Sequence, residues 1–470
     1  MTQLRRLCEA ALADTRRELK RPPYDRRRLA RGVVHLGPGA FHRAHQAAAF
    51  DVVAAQGDRR WGVVDVGVRS GAAARALAGQ DGLFVLETRR VGEVERAVIG
   101  SVVAAVDASF DPRLAVSALA APGVRLATLT VSEAAYTDAS LGRLIADALA
   151  LRQARNLGGL TLLSCDNLPS NGRRLRALVT AGAAAARGVN LAEWISRACA
   201  FPSSVVDRIT PAASEADRAR LAAETNLIDE ALTITEPCSQ WVIEDAFVGE
   251  RPPLEVAGVV FVSDVSAFAA AKLRLLNGAH SALAWLGLLA GFSFVHEAFA
   301  DPALRGFVDA LWDEAEATLT RVGGLDLAAY RSQIASRFDN AALPHRLDQI
   351  ATDGATKLTP RILEPMSARL ARGWPVWAQA LCVAAWAKAQ LRHGGAGRFS
   401  FADAQEAAIS SRLAGVRDAR AAIEALVGLD SAIPRSLGND PAFRSAVLAA
   451  ADSLDRDGPI AASARAARPS

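Results

Sequence analysis

The stretch "GVVHLGPGAFHRAHQ", Gly32–Gln46, decides how the first half of this 470-residue chain is read. "GVVHL" is an apolar run of strand type, and Gly-Pro-Gly ends it in a turn. "AFHRAHQAAAFDVVAAQG" then carries the spacing of a helix. Strand, glycine turn and helix in this order are the context in which a dinucleotide phosphate is cradled. Gly37 would make the tight turn and Gly39 would let a pyrophosphate approach the backbone. The free N–H groups that open the helix, at Ala40 and Phe41, would face the phosphates. The third glycine of G-x-G-x-x-G is missing, because that position holds His42. On these residues alone the turn reads equally as a cofactor cradle and as a plain strand–helix connection. His42, Arg43 and His45 read equally as structural residues and as cofactor contacts.

Outward from this point, "WGVVDVGV" (Trp61–Val68), "VRLATLTVS" (Val124–Ser132) and "GLTLLSCDN" (Gly159–Asn167) read as strands. "FVLETRR" and "AVIGSVVAA" read as further strands, and helical stretches alternate with them. Such alternation implies a parallel sheet with helices on both faces. From about Asp264 the β-branched runs give way to Ala/Leu-rich helical periods. The expected fold is α/β, with a Rossmann-like N-terminal domain over residues 1–263 and a mainly α-helical C-terminal domain over residues 264–470. "MTQLRRLCEAALADTRRELK" reads as a charged amphipathic helix rather than a leader. "LRHGGAGRFS" (Leu391–Ser400) reads as a glycine-rich loop, and "GPIAASARAARPS" as a frayed tail.

Composition narrows the function. Hydrophobic residues make up 51% and charged residues 22%, the balance of a soluble globular protein. A net charge of +4 on this length is too weak to argue for nucleic acid. Arg26, Arg27, Arg28 and Arg31 read as a solvated basic edge. The apolar stretch Leu275–His296 is interrupted by Asn277, His280, Ser281 and Ser293, so it reads as a core helix and not as a membrane span. Five cysteines, none in a C-x-x-C pair, suit a reduced cytoplasmic protein, and no metal-ligand spacing is present.

"AKLRLLNGAHSALAWLG" (Ala271–Gly287) places three polar heads on an apolar helix. At 100° per residue, Asn277 lies about 140° and His280 about 80° from Lys272, so the three share one side. Alone, Lys272 reads as a snorkelling lysine and His280 as a core histidine. An amine, an amide and an imidazole on one side ask for a polar ligand. Past the second strand, where an acid would read the ribose of NAD, stand Arg69 and Ser70, and Asp65 lies inside the strand. Arg69 could equally pair with a 2′-phosphate, so these residues leave the choice between NAD and NADP open; NAD is the expectation carried forward.

Six stretches, "GPGAFHRAHQ", "LTVSEAAY", "SCDNLPSNG", "FPSSVVDRITP", "EPCSQWVIED" and "KLRLLNGAHSALAWLG", occur in this order. Together they resemble the polyol-specific long-chain dehydrogenases, the mannitol dehydrogenase family, over roughly residues 30–390. The resemblance implies a nicotinamide-binding domain, a helical second domain, a substrate cleft between them, no metal, and a monomer acting on a small polyol or sugar acid. It implies that Lys272 is the general acid/base, that Asn277 and Asn167 hold the developing alkoxide, and that His280 orients the substrate. It places Asp207 and Lys357 in the cleft and Glu133 at the nicotinamide side. The chemistry is coherent. A free lysine titrates at about 10.4 and must be lowered toward roughly 7–8 to act as a base near neutrality. Amide donors meet the charge that builds on the substrate oxygen.

The substrate is read from departures. Many mannitol dehydrogenases carry an arginine and a glutamate where this chain has Gln349 and Ala269. "HRLDQIATDGATKLTPRILEP" (His345–Pro365) resembles the fructuronate reductase (D-mannonate oxidoreductase) branch instead. A hexuronate brings a carboxylate, and Arg346, Lys357 and Arg361 in this stretch offer cations for it. Reduction of D-fructuronate to D-mannonate is the leading expectation. A mannitol or arabinitol dehydrogenase is the alternative, and a non-catalytic sugar-acid or cofactor sensor a more distant one.

Overall fold

The computed structural model describes residues 4–12, 19–393 and 400–467. It divides into two compact units, Met1–Val265 and Ser266–Ser470.

In the first unit, β1 (Arg31–Leu36), β2 (Gly62–Gly67), β3 (Val102–Asp107), β4 (Leu126–Leu129) and β5 (Thr161–Ser164) form one sheet. Its order is β3-β2-β1-β4-β5, with every pair parallel. The chain steps outward from β1 to β3, then returns to the far side of β1 at β4. The carboxyl ends of β1 and β4 therefore flank a topological switch point, where sheets of this type bind ligands. Strand alternation explains the two buried faces. Val33, Leu126 and Leu163 pack with Phe50 and Val53. Val34, Ala127 and Leu162 pack on the other face with Ile145 and Leu175. Helix α1, residues 40–55, leaves β1 through the glycine turn and contributes Phe50 and Val53.

"AVIGSVVAA" is two strands and not one. Gly100 N donates to Asp51 Oδ1 and Ser101 Oγ to Ala47 O, so the chain there is tied to α1. Glu93–Ile99 pairs antiparallel with Phe84–Arg90, which also pairs with Thr233–Thr235 in a separate sheet. A third sheet joins Ser204–Asp207, Gln240–Glu244 and Val260–Val262, where the sequence reading placed no strand. Arg26 is not a solvated edge residue. Its buried guanidinium donates to Gly100 O, Asp81 O and Val102 O and pairs with Glu9.

In the second unit the central element is α2, residues 266–290, buried all round from Gly278 to Leu289. A helix apolar on every face belongs inside a helical layer. It packs in one core with α3 (residues 354–370), α4 (Trp377–Arg392) and α5 (Pro441–Ala466). The tail read as frayed is helical to Ala466, with a kink where Gly458 takes φ 77° ahead of Pro459. Ala462 is buried in the core, and that contact holds the last turns. Of the expected N-terminal helix, Glu9–Leu12 is helical, and residues 1–3 and 13–18 lie outside the described residues. Residues 394–399 of the expected glycine-rich loop also lie outside them. No helix among the described residues is long and apolar enough to cross a membrane.

Candidate active site

The glycine turn is built from the inside. Gly37 takes φ 97°, and a Cβ there would sit 2.1 Å from Thr130 O, so only glycine fits. The turn's carbonyls face inward. Gly37 O accepts from Thr130 Oγ1 at 2.8 Å, and His35 Nε2 lies 3.1 Å from it. Pro38 O accepts from Arg43 Nη1 at 2.7 Å, while Arg43 Nε reaches Thr233 Oγ1. Gly39 caps α1 in extended conformation, and a Cβ placed on it would meet no atom closer than 3.9 Å. The space over Gly39 and the unbonded first N–H groups of α1, at Ala40 and Phe41, suit an anionic phosphate. A pyrophosphate therefore fits the residues present.

Inside β2, Asp65 is fully buried and cannot read a ribose. Past the end of β2, Arg69 is exposed, its Nη1 donating to Ser132 Oγ at 2.6 Å. Glu133 opens an exposed short helical turn (Glu133–Tyr136) after β4.

Asn167 lies exposed just past β5, on a loop held from below by Asp166 and Asn171, two residues that sequence reasoning did not place in the site. Asp166 accepts from Val131 N at 2.7 Å and from Tyr136 Oη at 2.7 Å, tying the ends of β4 and β5 together. Burial pushes its carboxyl up to about 6. Asn171 is buried, donates to Asp166 O and Ser204 O and accepts from Ser204 N, a structural role in the turn. Asp207, half-buried, ends the neighbouring strand Ser204–Asp207.

The second unit carries the amine. Lys272 to Asn277 is a π-helical segment inside α2, with Gly278 N donating to Leu273 O five residues back. The α-helical arithmetic therefore does not apply across it. The i→i+5 turn brings residues five apart, here Lys272 and Asn277, closer to one face than a regular α-helix does. The wider turn frees carbonyls, and side chains collect them. Trp312 Nε1 donates to Leu275 O at 2.9 Å, and Arg361 Nη1 reaches Asn277 O at 3.3 Å and Ser281 Oγ at 2.9 Å. Arg361 itself sits in a second π-helical segment, Thr359–Leu363. Lys272 is buried, 7% exposed.

His280, two turns on, is 9% exposed and packs 4.6 Å from Phe338 and edge-on to His345 at 5.3 Å. Burial holds His280 well below the usual histidine range, and His345, Arg337 and Arg361 push it further. It is neutral at pH 7. Burial also lowers Lys357, with Arg361 adding to it. The Lys357 ammonium donates to the carbonyls of Ile350 and Thr352. Arg361 is lowered to about 10 by burial, and no carboxylate pairs with it among the described residues.

Arg346 is not brought to this group. It is exposed and forks onto Asp348, two residues on. Arg337, which sequence reasoning missed, is buried on the helix Leu327–Phe338 and bears on both His280 and His345. Its signal was present, because it falls in helical phase with the buried Tyr330 and Ile334.

Comparison with known proteins bears on both units. The family model described as mannitol dehydrogenase Rossmann domain matches residues 31–256, and that of the mannitol dehydrogenase C-terminal domain matches residues 264–449. D-mannonate oxidoreductase of Escherichia coli (strain K12) is 36% identical over 404 residues, covering 80% of this chain and 83% of that protein. Mannitol dehydrogenase 2 of Saccharomyces cerevisiae is 33% identical over 394 residues, covering 78% of each. The solved Pseudomonas fluorescens mannitol 2-dehydrogenase, a ternary complex with NAD and D-mannitol, superposes with a TM-score of 0.83 at 31% identity. That match covers 98% of this chain and 99% of that one.

Proposed function

The chain belongs to the mannitol dehydrogenase family of oxidoreductases acting on CH–OH groups, and from that premise we propose that it interconverts D-fructuronate and D-mannonate with NAD. The observation that carries the substrate is Arg361, a half-buried guanidinium whose partners among the described residues are a carbonyl and a hydroxyl. A desolvated cation without a counter-charge is costly, and a substrate carboxylate supplies that charge in fork geometry. Arg337 and Lys357 make the surroundings more cationic.

Gly37, Gly39, Ala40 and Phe41 hold the dinucleotide, with Arg69 at the ribose end and Glu133 at the nicotinamide side. When bound, the nicotinamide ring supplies or accepts the hydride at the substrate's secondary carbon. Lys272 gives its Nζ proton to the carbonyl oxygen on reduction and takes it back on oxidation. Asn277 and Asn167 donate amide N–H bonds to that oxygen as charge builds on it. Neutral His280 orients the neighbouring hydroxyl, and Asp207 and Lys357 line the sugar. Because oxidation needs deprotonated Lys272, alcohol oxidation rises with pH and ketone reduction falls.

A neutral hexitol is the second reading, favoured by the likeness to a protein solved with D-mannitol. A spectrophotometric assay separates the two, with D-fructuronate, D-fructose and D-xylulose each offered with NADH and with NADPH. We expect NADH oxidation fastest with D-fructuronate. Faster turnover of D-fructose overturns the sugar-acid reading while leaving the roles of Lys272, Asn277 and His280 in place.

A further inference from the structure

Beneath the glycine turn lies a buried cluster that the mechanism does not use. His42 stands where the dinucleotide fingerprint has its third glycine, whose service is close packing of helix on strand. Here two rings fill that interval. His42 on α1 stacks on His35 of β1, centroids 3.4 Å apart and planes 14° apart. His42 Nε2 lies 2.9 Å from Asp65 Oδ1 of β2, both side chains fully buried. His35 reaches the turn itself. Its Nδ1 is 2.7 Å from Thr128 Oγ1, and its Nε2 is 3.1 Å from Gly37 O and 2.9 Å from Thr130 Oγ1.

The hydrogen-bond roles follow. Gly37 O can only accept, so His35 carries its proton on Nε2, and Nδ1 accepts from the Thr128 hydroxyl. Burial keeps both imidazoles well below the usual histidine range and pushes Asp65 up to about 7. The 2.9 Å contact between His42 and Asp65 lacks hydrogen-bond geometry, so close packing and the stacked rings hold the pair in place.

We propose that His42 is a positioning residue for the dinucleotide turn: anchored by Asp65 and stacked on His35, it holds the Gly37 carbonyl inward and leaves the first N–H groups of α1 free for the pyrophosphate. The inference rests on reading this turn as the cofactor site.

Calorimetric titration of NADH, with steady-state kinetics alongside, tests it. His42→Leu fills the space but removes the partner of Asp65, whereas His42→Gln keeps an N–H near the Nε2 position. His42→Leu should raise the Kd and KM for NADH by about tenfold or more, and His42→Gln by much less. At saturating NADH, kcat and the KM for the sugar should stay within about twofold of wild type. Thr130→Val removes the hydroxyl from Gly37 O and from His35 Nε2 while leaving His42, its contact with Asp65 and the ring stack in place. It should weaken NADH in the same direction and decides the matter if His42→Leu does not fold. Wild-type Kd values in His42→Leu, or in Thr130→Val where His42→Leu cannot be made, overturn the proposal. So does a loss in His42→Leu spread alike over kcat and both KM values, which marks a packing residue. A wild-type protein that binds neither NADH nor NADPH overturns the cofactor reading of the turn, and the inference with it.

Discussion

Lys272 and Arg361 are asked for opposite behaviour within one helical layer. Lys272 must be able to lose its proton, while Arg361 must keep its charge. The difference is chemical, since a guanidinium lowered to about 10 is still charged at pH 7, and an amine in a similar setting can reach neutrality. Lys272→Ala should therefore lower kcat by about 10²–10⁴-fold in both directions while leaving the Kd of NADH unchanged. Equal loss of NADH binding would contradict a role confined to the proton. The sequence exposed Lys272, Asn277 and His280, because polar residues stand out on an apolar helix. It hid Arg337, whose place beside His280 depends on how a separate helix packs. It also put Arg346 beside Arg361 as an equal candidate. Only the fold tells the two apart, one spent on Asp348 and the other without a carboxylate among the described residues.

At the scale of elements, the strand–turn–helix at Gly32–Gln46 and four of the five sheet strands could be read from apolar runs and glycine, while Val102–Asp107 was merged with the strand before it. The π-helical segments could not. An extra residue in a helical turn leaves no mark on composition, and here it depends on Trp312 and Arg361 collecting the freed carbonyls. The short strands Ser204–Asp207, Thr233–Thr235, Gln240–Glu244 and Val260–Val262 were missed for a similar reason: three to five residues carry too short an alternation to read. Two predictions belong here. Gly37→Ala forces an L side chain to φ 97° against Thr130 O and should cost about 1–3 kcal/mol of stability, read as a fall in Tm, together with NADH binding. A wild-type Tm would contradict the turn geometry. Glu314 caps α4 through Ala378 N and Gln379 N, and burial raises its carboxyl to about 7. Its stabilising contribution is full below its unfolded value and is lost as pH rises through about 7. Glu314→Gln should flatten the fall in Tm between about pH 5 and about pH 8, and an unchanged slope would refute the assignment.

For the whole molecule, the two units divide the labour proposed for them. The first presents the dinucleotide turn, and the second presents Lys272, His280 and Arg361. NADH at about 100 times its Kd should add about 2.7 kcal/mol to the stability of the unit that holds it. Hydrogen exchange should show that protection in β1, α1 and β4, and protection by the sugar acid in α2 and α3. The reverse pattern would reassign the units. The central claim is that Arg361 receives a substrate carboxylate, and one comparison tests it most directly: kcat/KM for D-fructuronate and for D-fructose in the wild type and in Arg361→Ala. The account predicts a loss of about 10- to 100-fold for D-fructuronate, with D-fructose changed by less than about threefold. Equal losses on both substrates, or no loss on D-fructuronate, would contradict it.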